Sequence, residues 1–105
     1  MSTRPDGVYQ HPNPPPDFVI TEAKYGKSRL GKTTTGKQMS DDWVTDKRLR
    51  DAGITSRKER DRILDALDEG DGSVEKMLIR NKADGTVVAK RLDKHAKVVS
   101  SGLIL

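Results

Sequence analysis

The strongest strand signal in the chain is the stretch Phe18–Tyr25, FVITEAKY, which is rich in β-branched and aromatic residues. A shorter strand candidate, Gly7–Gln10, precedes it. The run HPNPPP between them suits neither a helix nor a central strand, because proline fixes φ and has no backbone N–H to donate. The pattern predicts an antiparallel hairpin closed by a stiff proline turn.

The middle of the chain has the spacing and the end signals of helices. Residues 41–52 follow a capping residue, Ser40, and are stopped by Gly53. Thr55 or Ser56 caps a second helix that ends near residue 68. Its apolar stripe consists of Ile63, Leu64 and Leu67.

A second hairpin is predicted for the last third of the chain. Its strands are residues 74–80 and 86–92, and the turn NKADG contains Gly85, which can adopt a positive φ. Residues 98–99 and 103–105 are candidates for a last short strand. The element order predicts one small α+β domain over residues 1–105: a β-hairpin, two helices and a second β-hairpin.

Composition narrows the function. The chain has 105 residues, of which 32% are hydrophobic and 34% are charged, so its core must be thin. A net charge of +4 favours polyanionic partners, of which nucleic acid is the commonest. The absence of cysteine excludes disulfides, thiolate zinc sites and cysteine nucleophiles. The N-terminal residues have no signal-peptide h-region, and no apolar run approaches the length of a membrane span.

Candidate chemistry lies in the predicted strand 18–25. Residues two apart on a strand share a face, so Phe18, Ile20, Glu22 and Lys24 form one row. The charged pair continues the apolar row, which predicts that it lines a cleft at the edge of the core. Metal-dependent phosphodiester cleavage needs two carboxylates to hold Mg²⁺ and a cation beside the phosphate. Glu22 and Lys24 supply one carboxylate and the cation.

Asp6 and Asp17 are the candidates for the second carboxylate, and hairpin geometry separates them. If the turn centres near Asn13-Pro14, Asp6 falls opposite Thr21 or Glu22, and opposed residues are about 5 Å apart. Asp17 lies roughly 16 Å from Glu22 along the same strand, at about 3.3 Å per residue. Asp6 is therefore the predicted partner of Glu22.

Pro5-Asp6 followed by Glu22-Ala23-Lys24 resembles the PD-(D/E)xK nuclease superfamily. The run EAKYGKSRLGK…GKQMSDDWV extends the likeness to the C-terminal nuclease domains of bacterial polymorphic toxins, of the Rhs and contact-dependent kind. The resemblance covers residues 4–49. It implies Asp6 and Glu22 as ligands of Mg²⁺ or Mn²⁺ and Lys24 as the catalytic lysine. Gln38 matches a glutamine often seen after the E-x-K strand in these families.

The resemblance also carries expectations about biology. It implies a DNase toxin that is secreted or delivered to act in the cytoplasm of a target cell, with a cognate immunity protein in the producing cell. The superfamily core usually begins with a helix before the hairpin, whereas this sequence starts almost at Asp6. We therefore expect a truncated restriction-endonuclease-like core, the C-terminal part of a larger nuclease toxin.

Residues 26–33, GKSRLGKT, match the nucleotide-binding pattern G-x-x-x-x-G-K-[ST] and open a second interpretation. A P-loop needs a helix starting at its Lys-Thr, but the TTTG that follows is poor helix sequence. The glycine-rich loop instead offers cations to nucleic-acid phosphates without reading sequence. These cations are Lys27, Arg29, Lys32 and Lys37. A basic nucleic-acid-binding module without catalysis remains the main alternative to a nuclease.

Overall fold

The computed structural model describes residues 4–11, 16–99 and 103–104. These residues form a five-stranded mixed sheet, a two-stranded ribbon and two helices. The strands are β1 (Gly7–Gln10), β2 (Phe18–Tyr25), β3 (Lys32–Thr33), β4 (Gly36–Lys37), β5 (Val74–Asn81), β6 (Val87–Leu92) and β7 (Leu103–Ile104), and the helices are α1 (Asp46–Asp51) and α2 (Arg57–Glu69). The predicted α+β fold is confirmed.

Both predicted hairpins are present. β1 and β2 pair antiparallel with Gly7 opposite Thr21, and His11 N donates to Asp17 O at 2.7 Å across the base of the connecting turn. Residues 12–15 of the proline turn lie outside the described residues. β5 and β6 form the second hairpin, and Gly85 in its turn has the predicted positive φ, 89°.

The two hairpins are joined into one sheet by a parallel pairing that the sequence pattern did not predict. β2 and β5 run parallel with Glu22 level with Leu78, and the sheet order is β1-β2-β5-β6-β7. Parallel neighbours require a long crossover connection, and here it contains the β3–β4 ribbon and both helices. The crossover brings the segment after β4 back over the row of side chains that contains Glu22.

The second helix agrees with its prediction, and the first is shorter than predicted. Ser56 caps α2 by accepting from Glu59 N at 3.3 Å. α1 begins at Asp46 with Thr45 as its cap, so the predicted start after Ser40 is wrong. The chain between these points makes a turn, with Trp43 N donating to Ser40 O at 3.1 Å, and this turn buries the indole completely.

The hydrophobic core is small and collects residues from the sheet, the helices and the segment before α1. Its fully buried members are Ile20, Met39, Trp43, Leu49 and Ile63. No helix among the described residues is long and apolar enough to cross a membrane.

A buried lysine ties the crossover to the sheet. Lys76 of β5 is 4% exposed, and its Nζ donates to Met39 O at 2.7 Å and to Asp93 O at 2.9 Å. Asp41 Oδ1 lies 2.6 Å from the same ammonium. Burial lowers the pKa of Lys76, and the hydrogen bond and negative charge of Asp41 oppose that shift. One side chain thus holds the segment before α1 and the loop after β6.

Replacing Lys76 by methionine tests this role. Lys76→Met keeps the length of the side chain but leaves Asp41 and two buried carbonyls without their partner. Leaving these partly buried groups unpaired should lower the free energy of unfolding by about 1–3 kcal/mol, measured by urea denaturation. Lys58→Met, at an exposed position on α2, is the matched control and should cost under about 0.5 kcal/mol. Equal losses for the two variants would contradict the role assigned to Lys76.

Candidate active site

Asp6 and Glu22 meet where the chain enters β1. The pairing of Gly7 with Thr21 puts Asp6 level with Glu22, as the hairpin geometry predicts. Asp6 N donates to Glu22 Oε1 at 3.1 Å, and Ala23 N donates to Asp6 Oδ2 at 2.7 Å. Each acidic residue is therefore fixed by the backbone of the strand opposite. Asp17 is at the other end of β2, where it pairs with Arg62 of α2.

The Glu22 carboxylate is buried and contacts two further residues that were predicted to form the site. Glu22 is 1% exposed, and Gln38 Nε2 donates to its Oε2 at 2.6 Å. Lys24 Nζ is 3.6 Å from the same oxygen, with 18% of its side chain exposed. Asp6, Glu22, Lys24 and Gln38 therefore form a single cluster that opens to solvent beside Asp6 and Lys24.

The electrostatic state of Glu22 follows from this packing. Burial raises the pKa of the Glu22 carboxyl, and the negative charge of Asp6 raises it further. The charge of Lys24 and the hydrogen bond from Asp6 N act in the opposite direction and do not cancel the increase in pKa. The surroundings of Glu22 therefore disfavour its negative charge, and a cation bound beside the two carboxylates would favour it.

Gln38 is held at the cluster by its own backbone. Gln38 N donates to Gly31 O at 2.7 Å, and the next residue, Met39, is buried with φ at 70°. A non-glycine residue in this left-handed region costs roughly 1 kcal/mol, which the contact between Met39 O and Lys76 helps to offset. Because a carboxylate only accepts hydrogen bonds, Nε2 faces Glu22. Gln38 Oε1 is buried and has no hydrogen-bond partner among the described residues.

The donor atoms fit a hard divalent cation. Mg²⁺ prefers oxygen ligands, and it often binds through one or two carboxylates together with waters and a substrate phosphate. Asp6 and Glu22 provide the two carboxylates, which lie close enough for Asp6 N to donate to Glu22 Oε1. The described part of the chain has no cluster of three or more Asp, Glu, His or Cys residues suited to a metal. Two carboxylates are enough protein ligands for a metal that also binds waters and a substrate phosphate.

The predicted basic loop contains the short β3–β4 ribbon. Lys27, Arg29 and Lys32 are exposed, whereas Lys37 is half-buried and donates to Ala96 O at 3.0 Å. Lys32 and Thr33 form β3, and the Thr33 hydroxyl donates to Gly36 O at 2.7 Å. The helix N-terminus that a P-loop requires at this point is therefore missing, because a strand and a tight turn occupy these positions.

Two further cationic residues, which the sequence pattern did not identify, lie near this loop. Arg80 of β5 is level with Lys24 and donates to Gly26 O at 2.7 Å and Ser28 O at 2.8 Å. Lys97 approaches from the loop after β6 and lines the same groove as Lys37. The parallel register of β2 and β5 brings Arg80 beside Lys24, and the bridge between Leu92 and Val98 positions Lys97. Alternation along β5 puts Lys76, Leu78 and Arg80 on one face, but it does not reveal the neighbouring strand.

Comparison with known proteins identified no relative. A scan against protein-family models found no match, and neither did searches of the curated proteins and of the solved structures.

Replacing Glu22 by glutamine should change how stability depends on pH. Because the pKa of Glu22 is raised in the folded state, the wild type gains stability when this group is protonated. This gain is complete below the unfolded pKa, near 4.3, and is lost as pH rises through the folded pKa. In EDTA, Glu22→Gln should therefore become more stable than the wild type as pH rises from 4 to neutrality. The side-chain amide of Gln38 can rotate so that its Oε1 accepts a hydrogen bond from the amide introduced at position 22.

Urea denaturation of both proteins between pH 4 and pH 8 measures this difference. Glu69→Gln, at an exposed position on α2, serves as the control and should follow the wild-type curve. A constant offset between Glu22→Gln and wild type at every pH would contradict the raised pKa of Glu22.

Proposed function

We propose that the chain is a metal-dependent nuclease domain and that Asp6, Glu22, Lys24 and Gln38 form its active site. The observation that supports this most is the buried Glu22 carboxylate, which contacts Asp6, Lys24 and Gln38 together. Burying a carboxylate beside a second acidic residue is costly for a structural role. The same arrangement is useful when a divalent cation has to be held against a phosphodiester.

Asp6 and Glu22 would hold the ion, which supplies Lewis-acid polarisation of the phosphate and a more acidic bound water. Lys24 places its ammonium at the open side of the cluster, where it can stabilise the charge that develops on the phosphate oxygens. Gln38 fixes the orientation of the Glu22 carboxylate through one hydrogen bond. The exposed cations of residues 27–32 contact flanking phosphates without selecting a sequence.

The biological context that we propose follows from the resemblance to polymorphic-toxin nuclease domains. The domain would cut DNA in the cytoplasm of a target cell after delivery, and a cognate immunity protein would protect the producing cell. The net charge of +4 is consistent with a polyanionic substrate, and an acidic inhibitor would suit the same surface.

Cleavage assays on plasmid and single-stranded circular DNA, with Mg²⁺ or Mn²⁺, test the proposal. The wild type should cut in the presence of metal and not in EDTA. Glu22→Gln should remove cleavage, and Lys24→Met should slow it by about 10²–10³-fold, as loss of one transition-state contact does elsewhere. Glu69→Gln and Lys58→Met, at exposed positions of α2, should leave the rate unchanged. Cleavage by Glu22→Gln at the wild-type rate would refute the assignment.

A non-catalytic nucleic-acid-binding module is the second candidate, and the exposed Lys27, Arg29 and Lys32 are the observation that favours it. Under this alternative, wild type and Glu22→Gln bind DNA equally with a strong dependence on salt, and neither cuts it. A nucleotide-binding protein would instead bind ATP or GTP and lose that binding in Lys32→Ala.

A further inference from the structure

A groove of about 530 Å³ lies beside the active-site cluster, between the β3–β4 ribbon, the β5–β6 hairpin and the loop after β6. Five cationic side chains line it: Arg29, Lys32, Lys37, Arg80 and Lys97. No acidic residue is among the described residues that line the groove. In a chain with 16 acidic residues, this separation of charge marks the groove as an anion site.

The cations of the groove fall into two groups. Lys37 and Arg80 are fixed, because they donate to the carbonyls of Ala96, Gly26 and Ser28. Arg29, Lys32 and Lys97 are exposed and form no ion pair with an acidic residue in the described ranges. The two fixed cations make the electrostatic potential along the groove walls positive. The three exposed cations are available to contact a ligand.

The rest of the groove is apolar. Five apolar side chains line it between the cations: Leu30, Leu78, Leu92, Ala96 and Val98. Leu78, Leu92 and Ala96 belong to the buried core, so half-buried Leu30 and exposed Val98 are the apolar side chains that a ligand can contact. A ligand that presented only phosphates would leave Leu30 and Val98 without an apolar contact. The bases of a duplex are paired and stacked, so their faces cannot reach them. The bases of an unpaired strand can lie against an apolar surface while the phosphates contact the cations.

The groove adjoins the cluster on the side away from Asp6. Leu78 is level with Glu22, Arg80 is level with Lys24, and neighbouring strands are about 4.8 Å apart. Lys37 immediately precedes Gln38, which contacts Glu22. A strand lying in the groove would therefore pass beside the open side of the cluster, where Lys24 lies.

We propose that this groove binds an unpaired polynucleotide segment and leads it to the Asp6–Glu22 cluster. The ligand class is a single-stranded nucleic acid, with phosphates on Arg29, Lys32 and Lys97 and with sugar or base on Leu30 and Val98. The proposal rests on the nuclease function for its biological meaning. Binding itself needs no metal, so it can be measured separately.

Fluorescence anisotropy in EDTA tests the groove, with a labelled single-stranded oligonucleotide and a hairpin duplex of the same sequence. The wild type should bind the single strand more tightly than the duplex. Lys97→Glu should weaken single-strand binding by about tenfold and reduce the slope of log K against log salt by about one. Lys58→Glu, at an exposed position outside the groove, is the charge-matched control and should change affinity by less than about twofold.

A second variant separates the apolar contact from the charge. Val98 is 48% exposed, so Val98→Asn should fold normally. It should lower affinity for the single strand, leave the salt slope unchanged and leave duplex binding as in the wild type. Equal effects of Lys97→Glu and Lys58→Glu would overturn the proposal. So would duplex binding as tight as single-strand binding, or no binding of either.

The same proteins distinguish this inference from the nuclease proposal. Glu22→Gln should bind the single strand at least as well as the wild type, because it removes a negative charge near the groove. If the predicted binding pattern is observed but neither the wild type nor any variant cuts DNA with metal, the proposed role of the groove is supported and the nuclease assignment fails. If the wild type cuts while groove variants bind and cut as it does, the nuclease assignment stands and the groove fails.

Discussion

Removing the Glu22 carboxylate from water is the constraint on which the rest of the structure depends. An unpaired buried charge would cost several kcal/mol, so its surroundings must supply hydrogen bonds and positive charge. They come from three separated parts of the chain: the entry to β1, the end of β2 and the segment after β4. The compensation is incomplete, because the pKa of Glu22 stays raised. A cation bound beside the two carboxylates would offset part of the cost of burying this charge.

A second buried charge, Lys76, holds the other side of the same segment. Gln38 contacts Glu22, while Met39 O and Asp41 contact Lys76 on the neighbouring strand. Residues 38–41 thus bridge a buried anion and a buried cation, and the positive φ of Met39 allows both contacts at once. Because the chain is only 32% hydrophobic, its core is small. This polar bridge therefore contributes part of the stability that a larger core would provide. The geometry of the Asp6–Glu22 cluster is therefore coupled to the stability of the fold.

Local signals were sufficient to predict most elements and part of the site. Alternation in β2 identified the buried row that ends in Glu22 and Lys24, and the turn position set the register that brings Asp6 to Glu22. Gly85 and the Ser56 cap predicted the second hairpin and α2 for equally local reasons. The late start of α1 fits the low helix propensity of residues 41–45 and the capping side chain of Thr45, a signal that the prediction from Ser40 overlooked. Burial of Trp43 and the contact of Asp41 with Lys76 hold this segment in a turn. The groove was not predicted because it depends on two long-range contacts: the parallel pairing of β2 with β5 places Arg80, and the loop after β6 places Lys97.

The central claim is that Asp6 and Glu22 act together as one divalent-cation site. Titration of the protein with Mn²⁺, followed by the loss of the free-ion electron paramagnetic resonance signal, measures this directly. The wild type should bind one Mn²⁺ in competition with Mg²⁺, and both Asp6→Asn and Glu22→Gln should lose that site, whereas Glu69→Gln should retain it. Retention of the site in either cluster variant, or no bound Mn²⁺ in the wild type, would contradict the account.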